Sequence, residues 1–119
     1  MTLAALTFAL GAIRYPISVP GWAPLKFPFS TGMVTCLGSA SSSDCLLHIS
    51  GTQGFDMTTS PPTLVPGGIG NQTAQALKNI EAVAVAAKSS MDNMIECTVM
   101  LANTSDFEGM NAAYETFFG

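Results

Sequence analysis

The sequence predicts an α+β fold in which two helices cover one face of a sheet. Two observations support this: two strand-like segments precede a helix–strand–helix succession, and each helical segment has a single apolar face. A sheet covered on one side leaves its other face open, so we also expect the chain to assemble with copies of itself. The alternative is a monomer coated with neutral polar side chains.

Charged residues are scarce in this chain. Of 119 residues, four are Lys or Arg and eight are Asp or Glu, which makes 10% charged, where roughly 25% is usual. Little charge on an ordinary apolar content also favours burial between copies. The basic residues are scattered: Arg14, Lys26, Lys78 and Lys88. Binding to phosphates needs clustered cations, so we expect no nucleic-acid partner and no anionic membrane surface.

The first 23 residues are predicted to be an appendage ahead of one domain, residues 24–119. Pro16 and Gly21 interrupt any regular element there. The apolar run at residues 3–13 is too short to span a bilayer, and no Lys or Arg precedes it as in a secretory signal. We expect a cytoplasmic protein, and a mitochondrial targeting segment is the alternative.

Three strands are predicted. An apolar stretch that ends at Val34 forms the first, and a Ser-rich loop at residues 38–44 follows it. Residues 45–50 are a short apolar run between turn formers, which is typical of a buried strand. Residues 51–70 hold five glycines and three prolines and are predicted to be loop. Residues 95–101 alternate between apolar and polar side chains, which predicts a third strand with one buried face.

The first predicted helix covers residues 71–87, with Asn71 or Gly70 as its cap. Asn79 falls on its polar side. The apolar face repeats at spacings of three and four residues and consists of Ala76, Leu77, Ile80, Val83, Ala84 and Ala87.

The second predicted helix begins with a capping box made by Ser105 and Glu108. Its apolar stripe consists of Phe107, Met110, Tyr114, Phe117 and Phe118. Asn111 lies within this stripe, and an unsatisfied buried amide costs about 1–3 kcal/mol. The amide therefore either ties the helix to a backbone or a neighbouring subunit, or faces a ligand.

Few other residues suggest chemistry. Cys36, Cys45 and Cys97 are an odd number without metal-ligand spacing, so neither a disulfide framework nor a zinc site is expected. Cys36 and Cys45 could close a loop, but reduced cysteines are the simpler interpretation. His48 is predicted to be a structural histidine rather than a general base. Residues 67–70 are Gly-rich before a helix but lack the Lys and Ser/Thr of a phosphate loop, so we favour a plain loop over an anion site.

Ser50 and Gly51 follow the second strand, where glycine lets a turn or a ligand approach the backbone closely. They belong to one of four motifs that follow one another along the chain: PFS at 28–30, ISGTQG at 49–54, QTAQALKNI at 72–80, and a later stretch, 92–118, that ends in MNAAYETFF. In order and spacing these motifs resemble the reactive-intermediate (imine) deaminase family, Rid, also called the L-PSP endoribonuclease family. The resemblance covers residues 24–119.

The resemblance implies a ferredoxin-like, chorismate-mutase-like α+β fold with a mixed sheet, assembled as a homotrimer with sites in clefts between subunits. It implies hydrolysis of 2-iminopropanoate- or 2-iminobutanoate-like intermediates to a 2-keto acid and ammonia, with no metal and no cofactor. By position, it implies substrate-binding roles for Phe29, where the family usually has a tyrosine, for Ser50 and Gly51 at the cleft wall, and for Asn111 at a polar contact.

The resemblance also implies an arginine that pairs with the substrate carboxylate, together with a cysteine and a glutamate, on strands that would follow Gly119. We therefore expect a C-terminally truncated relative or a fragment, with the last strands missing and little deaminase activity as written. One alternative is a non-catalytic small-ligand or protein-interaction module on the same scaffold. Another is a ribonuclease, which the scattered cations disfavour.

Overall fold

A computed structural model of the chain describes residues 12–24, 26, 30–37 and 44–119. It has an α+β architecture, which confirms the predicted fold class. In chain order the elements are β1 (Ala12–Ile17), β2 (Gly32–Leu37), β3 (Cys45–Ile49), β4 (Phe55–Asp56), β5 (Thr63–Leu64), α1 (Gly68–Ala86) and α2 (Phe107–Phe118).

Strands β1, β2 and β3 form an antiparallel sheet with β2 in the centre, and β4 pairs with β5 in a short separate ladder. The predicted first strand thus continues past Val34 to Leu37, and part of the predicted 51–70 loop is strand. Along β2 the side chains alternate between buried and more exposed positions, as a strand with one covered face requires. Val34 and Cys36 are buried, together with Ile17 of β1 and with Val83 of α1, which is 1% exposed.

Strand β1 corrects the prediction that no regular element occurs in the first 24 residues. It pairs with β2 from Ala12 opposite Leu37 to Ile17 opposite Gly32. Proline has no backbone N–H to donate. Pro16 is nevertheless compatible with β1, because β1 lies at the edge of the described sheet and the missing donor need not leave a carbonyl of a neighbouring strand unpaired. The division into an appendage, residues 1–23, and a domain stays a prediction.

The outer face of the sheet is open in the single chain. Leu46 of β3 is 53% exposed and lies opposite Thr35, which in turn lies opposite Arg14. His48 is exposed on the same face. The strand predicted at residues 45–50 is formed over Cys45–Ile49, but it is not a buried strand, because only alternate side chains of β3 point toward the core.

Cys36 and Cys45 form a disulfide between β2 and β3, which corrects the expectation of reduced cysteines. They lie directly opposite each other, with their Cα atoms 4.0 Å apart. The next pair, Leu37 and Asp44, is joined by a hydrogen bond of 3.0 Å from the Leu37 N–H to the Asp44 carbonyl. Cysteines in directly opposed strand positions are close enough to be bridged, and this register cannot be read from the sequence.

We expect reduction of this disulfide to lower the free energy of unfolding by about 2–3 kcal/mol, because the bridge restricts the unfolded chain. Denaturant unfolding with and without a reductant measures the difference. Cys97→Ala is the control, since it leaves the Cys36–Cys45 bridge intact and should retain the effect of the reductant. Titration of the unfolded, unreduced protein should detect the Cys97 thiol alone, and reaction of all three cysteines would contradict the bridge.

Helix α1 begins earlier than predicted. Its N-cap is Gly67, with φ of 101°, rather than Asn71 or Gly70. Glycine adopts this left-handed conformation without steric cost, so the chain can turn sharply into the helix. Asn71 instead donates a hydrogen bond of 3.0 Å from Nδ2 to the Pro66 carbonyl, which fixes the preceding turn.

Helix α2 packs against α1 and buries Met110. A 3₁₀ turn, Thr104–Asp106, precedes it and is capped by Asn103, whose Oδ1 accepts a hydrogen bond of 3.1 Å from the Ser105 N–H. The predicted capping box of Ser105 and Glu108 is therefore wrong. The extra turn moves the start of the α-helix to Phe107, so Ser105 is no longer at the cap position.

The predicted strand at residues 95–101 is not formed in the structure, although its residues alternate as a strand requires. Within the described part of the chain, this segment belongs to neither ladder. Ile95 is 86% exposed and Met100 is 88% exposed. A strand exists only when a neighbouring strand receives its hydrogen bonds, and alternation in the sequence does not supply that neighbour.

Candidate functional site

Ser50 and Gly51 lie where β3 ends. The Ser50 N–H donates to the Thr31 carbonyl at 3.0 Å, and its hydroxyl donates to the Ser30 carbonyl. These two bonds fix the backbone of Ser50 against the start of β2. Gly51 is exposed, and a Cβ built on it would meet no atom of the described residues within 4 Å. The hydrogen bonds of Ser50 thus hold the backbone next to Gly51, while no described residue fills the space beside the Gly51 Cα.

This space is part of a cavity of about 460 Å³. The volume is within the range of roughly 300–1,000 Å³ that is typical of small-molecule sites. The cavity lies between the segment before β2, the end of β3 and the loop that contains β4. Its described lining residues are Trp22, Pro24, Lys26, Thr31, Ser50, Gly51, Thr52, Gln53, Phe55, Met57, Ser60, Pro61, Pro62 and Val83.

Three hydroxyl groups in the cavity wall donate hydrogen bonds to backbone carbonyls. Ser50 donates to Ser30, Thr31 donates to Ile17 at 2.9 Å, and Thr52 donates to Ser50 at 2.8 Å. A hydroxyl has one proton and two lone pairs. These oxygens can therefore accept hydrogen bonds from a ligand, but donating to one would break a bond within the protein.

Asn79 of α1 holds the loop that forms one wall of the cavity, and the sequence analysis missed it. Its Nδ2 donates to the carbonyls of Gln53 at 3.1 Å and Phe55 at 2.8 Å, while its Oδ1 accepts from Gln75 Nε2 at 2.9 Å. Asn79 is 3% exposed, so its assignment to the polar side of the helix was wrong. Helical periodicity identifies a polar residue near the edge of an apolar face, but it does not show that a loop folds over it.

A tight turn shapes the outer part of the same wall. One carboxylate oxygen of Asp56 accepts from the Thr58 N–H at 2.9 Å and from the Thr58 hydroxyl at 2.6 Å. These bonds favour the ionised form and lower the pKa of Asp56, with the hydroxyl bond contributing most. The Thr59 hydroxyl lies 3.0 Å from the Asp56 carbonyl and 2.9 Å from that of Pro61, which links the two sides of the turn.

The structure brings together some of the predicted site residues and separates others. Ser50 and Gly51 line one cavity. Asn111 lies on α2, is partly exposed, and donates from Nδ2 to Glu115 Oε1 at 2.7 Å, so it is neither tied to a backbone nor part of the described lining. Phe29 lies outside the described residues.

The structure also bears on the metal site and the Gly-rich segment considered in the sequence. Within the described ranges, no group of three or more His, Cys, Asp or Glu residues is placed to hold a metal ion. Of the Gly-rich segment, residues 68–70 form the first turn of α1. No helix in the described residues has the length and apolar character needed to cross a membrane.

A second, more polar groove lies between α2 and the segment before it. Its lining includes Glu96, Cys97 and Tyr114. Burial raises the pKa of Tyr114, and a hydrogen bond and the charge of the nearby Cys97 raise it further. The ring of Tyr114 also packs against that of Phe118, with the centroids 4.6 Å apart and the ring planes tilted by 38°.

The fold should therefore favour the neutral form of Tyr114. Because the pKa is raised on folding, the contribution of Tyr114 to stability is fully present below about pH 10, the pKa of free tyrosine, and is lost as the pH rises through the raised value. Spectrophotometric titration should show a transition above the free value that Tyr114→Phe removes and Cys97→Ala moves to lower pH. A titration that Tyr114→Phe leaves unchanged would contradict this assignment.

Comparison with known proteins assigns the chain to a family. Residues 35–119 match the family described as endoribonuclease L-PSP. The chain belongs to this family. The L-PSP chain is 39% identical over 75 residues to the 2-iminobutanoate/2-iminopropanoate deaminase of Mus musculus, covering 63% of this chain and 54% of that protein. It is 41% identical over 75 residues to a RutC family protein of Drosophila melanogaster, covering 63% and 53%. The matched region thus spans about half the length of these relatives.

Solved structures support the fold of the L-PSP chain. A solved structure from Thermotoga maritima superposes with a TM-score of 0.71 at 21% identity, covering 90% of this chain and 76% of that one. Yeast Mmf1 superposes with a TM-score of 0.69 at 22% identity, covering 89% and 76%. At this level of identity the similarity establishes the fold alone.

Proposed function

We propose that this L-PSP protein hydrolyses 2-imino acids such as 2-iminopropanoate and 2-iminobutanoate to a 2-keto acid and ammonia. The observation that carries the proposal is the cavity beside Ser50 and Gly51, where a rigid backbone borders open space. The names of the deaminase relatives support the choice of substrate.

The chemistry of the cavity wall suits such a substrate. In the reaction, water adds to the imine carbon and ammonia leaves, so a C=N bond is replaced by a C=O bond without oxidation or reduction. A protonated imine donates hydrogen bonds through nitrogen. The hydroxyl groups of Ser50 and Thr52 already donate their hydrogen bonds to backbone carbonyls, so their oxygens are available to a ligand as acceptors. They can therefore orient the protonated imine within the largely apolar cavity.

The site would be completed in a homotrimer, with Asn111 contributed by a neighbouring copy. Asn111 is not among the described cavity residues of its own chain, so any contact with the ligand would come from another subunit. The open outer face of the sheet offers a surface for that assembly. Light scattering should give a trimer, and a well-folded monomer would contradict this part of the proposal.

A coupled assay tests the activity. A pyridoxal-phosphate-dependent dehydratase acting on threonine releases 2-iminobutanoate in solution, where semicarbazide traps it. Adding the protein should lower the yield of the trapped imine, and in a parallel reaction without semicarbazide it should speed the release of ammonia. Gly51→Val should remove this effect because its side chain occupies the open space, while Lys78→Gln, an exposed change on α1, should keep it. A rate equal to that of buffer would contradict the proposal.

A second candidate function is a non-catalytic module that binds 2-keto acids or related ligands. It is favoured by the position of Arg14, the single arginine of the chain, on the open face of the sheet rather than among the described cavity residues. Saturable binding of 2-oxobutanoate without any imine hydrolysis would support this second function over the first.

A further inference from the structure

Two of the five asparagines in the chain begin the tripeptide Asn-x-Ser/Thr, in which x is any residue except proline. The two tripeptides are NQT at residues 71–73 and NTS at residues 103–105. In proteins that enter the secretory compartment, this tripeptide is the acceptor for N-linked glycans. Because so short a motif also occurs by chance, the surroundings of each asparagine have to show whether it can carry a glycan.

Asn103 has the surroundings that an acceptor needs. All three residues of its tripeptide are exposed, in the loop before α2. Its side chain is engaged through the oxygen alone: Oδ1 accepts from the Ser105 N–H at 3.1 Å, while Nδ2 donates to no group among the described residues. An N-linked glycan is attached to Nδ2 of asparagine. Asn103 can therefore carry a glycan and still cap the 3₁₀ turn.

Asn71 is also exposed, but its amide nitrogen is occupied. Nδ2 donates to the Pro66 carbonyl at 3.0 Å and lies so close to the backbone that a Cβ built on Gly67 would collide with it. A sugar on this nitrogen would have to displace the turn that leads into α1. The structure therefore favours Asn103 over Asn71 as the acceptor.

The Cys36–Cys45 disulfide is a second, independent observation that favours a glycan. Cys36 is 0% exposed and belongs to the core cluster that also contains Val34 and Val83, so the bridge is part of the folded interior. Disulfides form and persist in the lumen of the endoplasmic reticulum and outside the cell, and they are rare in the reducing cytosol. N-linked glycans are added in that same oxidising lumen. The bridge and an occupied acceptor thus require the same environment.

We propose that Asn103 is an N-glycosylation site and that the bridged protein carries a glycan there. The donor is an oligosaccharide on a lipid diphosphate carrier. Nδ2 of Asn103 forms a bond to the anomeric carbon of the first sugar, and the bond from that carbon to the diphosphate breaks. The diphosphate leaves with the electron pair and Nδ2 releases one proton, so nothing is oxidised or reduced.

This proposal does not depend on the proposed imine hydrolysis. Asn103 is not among the described lining residues of the cavity beside Ser50 and Gly51, nor among those of the groove around Tyr114. A glycan on Asn103 should therefore leave the activity unchanged, and the failure of one proposal would not decide the other.

Mass spectrometry of the protein purified from its own cells tests the proposal. Treatment with an amidase that releases N-linked glycans should remove the mass of one oligosaccharide and convert Asn103 to aspartate, which peptide analysis localises. The variants are compared in a eukaryotic host, behind a cleavable secretion signal. Ser105→Ala should abolish the mass loss, because the tripeptide needs a hydroxyl at its third position, and Ser105→Thr should retain it. Thr73→Ala removes the other tripeptide and should leave the mass loss unchanged.

Ser105→Ala is the informative variant because the 3₁₀ turn keeps its cap. Oδ1 of Asn103 accepts from the backbone N–H of residue 105, which alanine also has. Denaturant unfolding should therefore show a folded protein without a glycan. If the protein from its own cells loses no mass, or if Ser105→Ala loses the same mass as the wild type, the proposal is overturned. A mass loss that Thr73→Ala abolishes would place the glycan on Asn71 and overturn the choice of Asn103.

Discussion

Replacing Gly54 with alanine should lower the free energy of unfolding by about 3 kcal/mol, because there is no room for a side chain at this buried position. A Cβ atom there would lie 2.5 Å from the Gln72 carbonyl oxygen and 2.6 Å from the Gln72 Cα. Both atoms belong to the backbone of α1, so neither can move away as a flexible side chain would. The loop and the helix would have to separate, and the cavity wall would shift with them.

Gly51→Ala is the matched control for Gly54→Ala. The same atom added at Gly51, only three positions earlier in the loop, meets nothing within 4 Å. The free energy of unfolding of Gly51→Ala should stay within about 0.5 kcal/mol of the wild-type value, as for a surface substitution. Denaturant unfolding of both variants measures the difference, and equal stability of the two would contradict the close packing of Gly54 on α1.

Asn79→Ala should lower the free energy of unfolding by about 3 kcal/mol, because it removes three hydrogen bonds, two of them from Nδ2 to the partly buried carbonyls of Gln53 and Phe55 and one from Gln75. Gln75→Ala is the control. It removes a single bond to Asn79 and keeps both bonds to the loop, so it should cost about 1 kcal/mol. Equal losses in the two variants, measured by denaturant unfolding, would show that Asn79 does not hold the loop.

Asn79→Ala should also weaken ligand binding under conditions in which the variant is still folded. The loop from Gln53 to Phe55 forms part of the cavity wall, and Asn79 is the side chain of α1 that is bonded to its backbone. Gln75→Ala should bind 2-oxobutanoate as the wild type does. Unchanged affinity in folded Asn79→Ala would mean that the loop holds its position without this contact.

The sequence predicts those parts of the fold that depend on local pattern. The apolar periodicity of α1 and α2 and the short apolar run of β3 correspond to real elements. Features that depend on long-range pairing were not predictable. The first 24 residues looked too rich in proline and glycine to contain a regular element, yet β2 pairs with β1 along the whole length of β1. The alternating segment at residues 95–101 looked like a strand, yet in the described chain no neighbour pairs with it.

The candidate site shows the same division. Ser50 and Gly51 were identified from a motif, and the structure places both at a cavity. Asn79 was missed because its importance comes from contacts between segments distant in the chain, such as the bond from Asn79 to the Gln53 carbonyl. The Cys36–Cys45 bridge was missed for a related reason, since it depends on the register of β2 and β3.

The disulfide bears on where the protein is found. Stable disulfides are rare in the reducing cytosol. A cytoplasmic location and a permanent Cys36–Cys45 bridge are therefore difficult to reconcile, and the thiol titration described above decides between a bridged and a reduced protein. The cytoplasmic and mitochondrial locations both stay predictions.

If the cavity at the end of β3 is the ligand site, 2-oxobutanoate should cause saturable chemical-shift changes at the backbone amides of Gly51, Thr52 and Gln53. Gly51→Val should abolish these changes while its spectrum stays that of a folded protein. Saturable shifts confined to the groove around Cys97 and Tyr114, or no saturable shifts at all, would show that this cavity is not the ligand site.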